Sequence, residues 1–93
     1  MARSLTENDV IAICGRTYVE RGRRYQKLGK VLDLRWDEPQ QAMTGRVAGS
    51  EENSYHQRIA FFDVTATPRF EGTCSCPVGV NCKHVAALLL EWL

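Results

Sequence analysis

The period of the hydrophobic positions changes along the chain, and each change marks a new element. Val10, Ile11, Ile13 and Cys14 cluster behind Thr6-Glu7-Asn8-Asp9, a run that offers an N-cap hydroxyl and early acidic side chains, so a short helix is predicted up to Gly15. A second helix is predicted over residues 16–28, with Tyr18, Gly22, Tyr25 and Leu28 on one stripe, Gly29 as its stop and arginines on its other face. From Lys30 to Trp36 the period falls to two. Leu32, Leu34 and Trp36 then share one side and Val31, Asp33 and Arg35 the other, as in a half-buried strand. Asp37-Glu38-Pro39-Gln40 reads as a turn. Residues 42–48 alternate again, with Met43, Gly45 and Val47 opposite Thr44 and Arg46. After a polar turn at 49–53, residues 54–63 form a third strand carrying Tyr55, Ile59 and Phe61 on one face, and residues 68–76 a fourth extended segment. Consecutive strands with short turns pair antiparallel. Beyond the loop Pro77-Val78-Gly79-Val80-Asn81, Val85, Leu88, Leu89 and Trp92 recur at i, i+3, i+4 and i+7, so a C-terminal helix buries that face against the sheet.

The fold class that follows is α+β: N-terminal helices, a small antiparallel sheet of three to four strands, and a last strand that leads through a loop into a C-terminal helix. Ninety-three residues suit a single domain, with a helical part over 5–29, a sheet over 30–73 and a terminal module over 74–93. A helix that runs to Leu93 without a cap points to a chain that continues beyond it. Neither internal repeats nor low-complexity tracts interrupt the pattern.

With 44% hydrophobic and 25% charged residues the composition is that of an ordinary soluble globular protein. A chain of this size buries only about two thirds of its unfolded surface, so a covalent or metal staple would weigh heavily in its stability. The N-terminus lacks a signal-peptide core, and no stretch reaches bilayer-spanning length, so a cytoplasmic protein is expected, with no membrane partner. In a reducing compartment, four cysteines of which three lie between positions 74 and 82 favour metal or redox chemistry over disulfides.

Those three cysteines form a pattern with His84. In Cys74-Ser75-Cys76, at the end of a strand, residues i and i+2 point to the same side, and a bend at Ser75 lets both sulfurs reach one ion. Cys82-Lys83-His84 has the same spacing, but two residues apart on a helix diverge. Cys82 must therefore precede the helix as loop or N-cap, with His84 in its first turn. Three thiolates and one imidazole make a closed tetrahedral set that suits one structural zinc ion, bound through Cys74, Cys76, Cys82 and His84, and leaves no position open for a substrate. Buried thiols acting as small hydrophobes, a Cys82–His84 nucleophile pair and a thiol redox switch are the alternatives. The nucleophile reading lacks an acidic orienter and an oxyanion feature. The switch is compatible with zinc. Cys14 reads as a core residue of its helix, His56 as solvent-facing, and Trp36 and Trp92 as core.

Formal net charge is +1, and three thiolates around one divalent ion lower it to zero, so there is no global pull toward a polyanion. The distribution is uneven. Arg16, Arg21, Arg23, Arg24, Lys27, Lys30 and Arg35 meet only Glu20 and Asp33 between positions 16 and 35. Arg21, Arg23, Arg24, Lys27 and Lys30, with Lys83 beside the zinc ligands, are the candidate phosphate contacts; a solvated helix face is the other reading.

The pattern C-x-C, loop, C-x-H opening a helix, here Cys74, Cys76, Cys82 and His84 followed by Val85-Ala86-Ala87-Leu88-Leu89-Leu90, resembles the SWIM zinc finger. Upstream, Arg21-Gly22-Arg23-Arg24-Tyr25 and Gly29-Lys30-Val31 are similar to the segment that precedes this finger in bacterial proteins, including ones associated with Swi/Snf-type helicase ATPases. The resemblance implies a zinc module that contacts DNA or other proteins. No G-x-x-x-x-G-K-[ST] motif is present, so a helicase-type ATPase would act in cis on a continuation of the chain or in trans on a partner. Two functions follow: a nucleic-acid-binding module, DNA foremost, or a protein–protein interaction adapter. No paired carboxylates, nucleophile motif or open metal position supports an enzyme or a small-molecule substrate.

Overall fold

A computed structural model of the chain describes residues 5–49, 53–62 and 69–93. Thr6 opens α1 (Glu7–Cys14): its hydroxyl accepts from the Asp9 N–H at 3.3 Å while the Asp9 carboxylate accepts from the Thr6 N–H at 2.9 Å. This reciprocal cap satisfies two backbone donors that have no partner within the helix. Gly15, at φ 94°, ends α1 and opens α2 (Arg16–Lys27), a backbone angle that side-chain-bearing residues rarely adopt. On α2, Val19 and Gly22 are buried and Tyr18 and Tyr25 half-buried. Leu28, expected on the same stripe, is 65% exposed: it is the C-cap, where the chain already turns toward Gly29.

Four strands follow, β1 (Val31–Asp37), β2 (Ala42–Ala48), β3 (Ser54–Phe62) and β4 (Arg69–Cys74), in the order β1-β2-β3-β4 with every neighbouring pair antiparallel. The α+β class and the four-strand count agree with the sequence pattern. The expected outer ends of β3 and β4 at Asp63 and Pro68, and part of the turn after Gly49, lie outside the described residues. β1 departs from the expected phase at its start. Val31 pairs with Val47 and Asp33 with Arg46, so Leu32 is the extra residue of a bulge. Val31 turns toward the core with Leu34 and Trp36, whereas Leu32 is 48% exposed.

The last helix, α3 (Lys83–Trp92), lies across all four strands, with α2 along its other side. It seats on glycines. A Cβ at Gly45 would collide with Leu88, and one at Gly72 with Val85. On the other side, Gly22 of α2 meets Ala86 and Ala87. The helix was expected to bury one face, but every residue from His84 to Leu89 is buried, because small residues on one side and aliphatic ones on the other fit two different neighbours. Trp36, Phe61 and Trp92 close one end of this core, the two indoles stacked at 5.6 Å. Among the described residues no helix is long and apolar enough to cross a membrane.

Candidate metal centre

β4 ends at Cys74, paired with Gln57 of β3, and the chain then bends. Ser75 pins the bend to β3: its N–H donates to the His56 carbonyl at 3.0 Å, and its hydroxyl accepts from the His56 N–H at 2.9 Å. Cys76 is thereby turned inward and buried. The loop folds back along β4 through left-handed residues Gly79 (φ 88°) and Asn81 (φ 47°). The Cys74 N–H donates to Gly79 O, and Asn81 exchanges two bonds with Gly72, each of 2.8 Å. This return brings Cys82 in as the extended N-cap of α3 (φ −87°, ψ −174°), with His84 as the second helical residue, the arrangement that divergence of i and i+2 on a helix demands.

The donor atoms of Cys74, Cys76, Cys82 and His84 all lie within 4.8 Å of one another. His84 presents Nδ1, 3.7 Å from the Cys74 sulfur and 3.6 Å from the Cys82 sulfur. A zinc tetrahedron with bonds of about 2.3 Å to sulfur and 2.0–2.1 Å to nitrogen has sulfur–nitrogen edges of about 3.5 Å. Two sulfur–nitrogen edges therefore already stand near that length, the rest of the donor set lies within 4.8 Å, and the cysteines are free thiols. The model of the SWIM zinc finger matches residues 62–93. Over this segment the chain is similar to the SWIM zinc finger. Its donor set fits one zinc ion. No curated protein and no solved structure matches the chain. The family match stops at residue 62, so the upstream segment around Arg21 to Val31 stands outside it.

Within the finger the sulfurs are electrostatically coupled. The Cys82 thiol donates to the Cys74 sulfur and, with His84 and Gln57, holds Cys74 well below the usual thiol range against the opposing effect of burial. The same contact, reinforced by burial, raises Cys82. A divalent ion removes this contest over one proton, since its charge stabilises both thiolates. Cys14 lies apart in the core, where burial pushes its thiol up to about 12. His56 is exposed on β3, so neither residue joins the site.

Gln57 also touches the cluster, a contact that the sequence pattern did not single out. It is 3% exposed, and its side-chain N–H₂ donates to Tyr55 O at 2.8 Å and to the Cys74 sulfur at 3.4 Å. The signal was present: Gln57 occupies the inward phase of β3 between Tyr55 and Ile59. A polar side chain in that phase needs a partner, and here the partner is a ligand sulfur. Two tyrosines flank His84, Tyr55 with ring centroids 4.8 Å away and Tyr25 edge-on at 5.4 Å.

The basic residues are divided by the fold. Arg21, Arg24 and Lys27 are exposed on α2. Arg23 forms an ion pair with Glu7. Lys30 and Lys83 place their ammonium groups 5.6 and 5.1 Å from the centre of the Tyr25 ring. Tyr25 thus joins the helical cations to the finger, because the same ring packs on His84.

Proposed function

We propose that this chain is a zinc-stapled module that binds nucleic acid, DNA foremost, with the exposed face of α2 and the start of α3 as its phosphate-contacting surface. The observation that carries this reading is the continuity of cations from α2 to the finger. Arg23, Arg24 and Lys27 line a shallow recess with Glu20 and Leu28. Lys30 and Lys83 then extend the strip across the Tyr25 ring to the residue between two zinc ligands. Zinc acts structurally here: it locks Cys82 and His84, and so sets where Lys83 stands. Binding of this kind is driven by counterion release and has little sequence preference of its own. A helicase-type ATPase, in cis or in trans, would supply the motor that such a module directs.

The test is fluorescence anisotropy of labelled duplex and single-stranded DNA against the zinc-loaded chain over a salt series. Affinity should fall steeply with salt, and Arg24→Glu with Lys27→Glu should weaken duplex binding while leaving zinc content unchanged. Arg23 is a poor choice for reversal because it also pairs with Glu7. Absence of salt-sensitive binding at low ionic strength would reject the reading. A protein–protein adapter is the second reading, favoured by Val78 and Val80, both about half exposed on the finger's own loop. A partner captured equally by the wild type and by the α2 charge reversal would support it.

A further inference from the structure

All three helices lie on one side of the sheet: α3 on the strands, α2 on α3, and α1 against α2, α3 and β4. The register fixes what stands on the other side. Arg35 is opposite Thr44, Thr44 opposite Arg58 and Arg58 opposite Thr73, one row across all four strands. These four side chains are exposed. In the adjoining row Asp33, Arg46 and His56 follow one another. Arg35 is matched by Asp33 at 3.7 Å. Arg46 and Arg58 have no carboxylate partner among the described residues. Of the outward acids, Asp33 serves Arg35, Asp37 accepts from the Gln40 N–H in the turn, and Glu71 stands diagonal to Arg58. At the end of β3, Phe62 is 53% exposed opposite Arg69.

We propose that this open face of the sheet binds single-stranded nucleic acid, with Arg46 and Arg58 on phosphates and Phe62 stacking on a base. The inference rests on the nucleic-acid reading above and adds a second surface with a different preference. Charge complementarity selects a polyanion, and shape selects a single strand. Strands about 4.8 Å apart make the row across four of them about 14 Å long. A duplex is convex and presents its bases in grooves that take a helix or a two-stranded ribbon, so a broad four-stranded face cannot enter them and touches few of its phosphates. A single strand can run diagonally from Arg46 on β2 to Arg58 on β3 and on along β3 to Phe62, four residues or about 13 Å further, where an unpaired base can stack on the exposed ring. Thr44, a short hydroxyl side chain between Arg35 and Arg58, leaves the floor shallow and offers a hydrogen bond to phosphate or sugar, while the Thr73 hydroxyl at the β4 end of the row donates to the Arg58 carbonyl.

The experiment uses the zinc-loaded full chain with a fluorescein-labelled oligothymidylate and, in parallel, a labelled duplex, each over a salt series. Arg46→Glu with Arg58→Glu should weaken single-strand binding about tenfold or more and flatten its salt slope by about 1.4, the share of two phosphate contacts. Phe62→Ala should weaken it by about fivefold or more with the slope unchanged. If the charge-reversed sheet fails to fold, as judged by zinc content and circular dichroism, Arg46→Gln with Arg58→Gln carries the same test. Unchanged single-strand binding by a folded sheet variant overturns the proposal and leaves the broader reading standing. So does wild-type binding confined to duplex. A wild type that binds neither form overturns both.

Discussion

Gly22→Ala isolates the contact that couples the basic helix to the zinc finger. On an exposed helical site this exchange stabilises by about 0.8–1 kcal/mol, because alanine loses less backbone entropy. At Gly22 the new methyl would sit 2.8 Å from the Ala86 Cβ, the Ala87 nitrogen and the Lys83 carbonyl oxygen, where unstrained carbon contacts lie at about 3.5–4.0 Å. Two of those three atoms belong to the backbone of α3, so no rotamer change relieves the clash and α3 itself must shift. Overpacking of this type costs about 1–3 kcal/mol. Since backbone must move, the upper half of that range applies, and the net loss after the propensity gain is about 1–2 kcal/mol. For a domain of this size that lowers the melting temperature by about 5–15 °C. The displaced carbonyl is that of Lys83, between Cys82 and His84, so the zinc of the variant should also yield to a chelator at lower concentration. Thermal unfolding by circular dichroism and chelator competition on zinc-loaded protein measure both effects. A raised melting temperature would refute the helix contact on which the reasoning stands.

Cys82→Ser should abolish stoichiometric zinc and collapse amide dispersion through β4 and α3, because structural zinc contributes on the order of 10 kcal/mol of folding free energy, comparable with the whole stability of such a domain; full metal content in elemental analysis would contradict the donor set. Gln57→Leu keeps the volume but removes the amide donor on Cys74, so zinc affinity should fall about tenfold or more and the thiolate charge-transfer band of the cobalt-substituted protein should move, while an unaltered affinity and spectrum would deny Gln57 its role. Acid should release the metal. Zinc requires deprotonated sulfurs and an unprotonated His84 Nδ1, and the folded cluster already holds Cys74 below the ordinary thiol range. The stabilisation is therefore present on the alkaline side and lost as pH falls, which a zinc-indicator titration reads directly; release on raising the pH would reverse the sign and refute it.

Much of the site was legible because its logic is local. A C-x-C at a strand end and a C-x-H at a helix start each constrain their donors through backbone periodicity alone. That constraint put Cys82 ahead of the helix, as loop or N-cap, and it stands at the N-cap. Period-two alternation likewise delimited β2 at Ala42–Ala48, and Thr6 announced the capping of α1. What sequence order left open concerns contacts between distant segments. The bulge at Leu32 arises only when β1 is laid against β2, since a lone strand has no register to break. Burial of α3 on two sides depends on α2 bringing Gly22 to Ala86. Which cations remain free was equally a tertiary matter: Arg23 meets Glu7 from another helix, and Lys30 and Lys83 meet on one ring contributed by α2. Backbone geometry decides which neighbours along the chain share a point in space. Packing decides which strangers do, and in this protein it joined Gln57 to a ligand sulfur, α2 to α3, and the arginines of β2 and β3 on one open face.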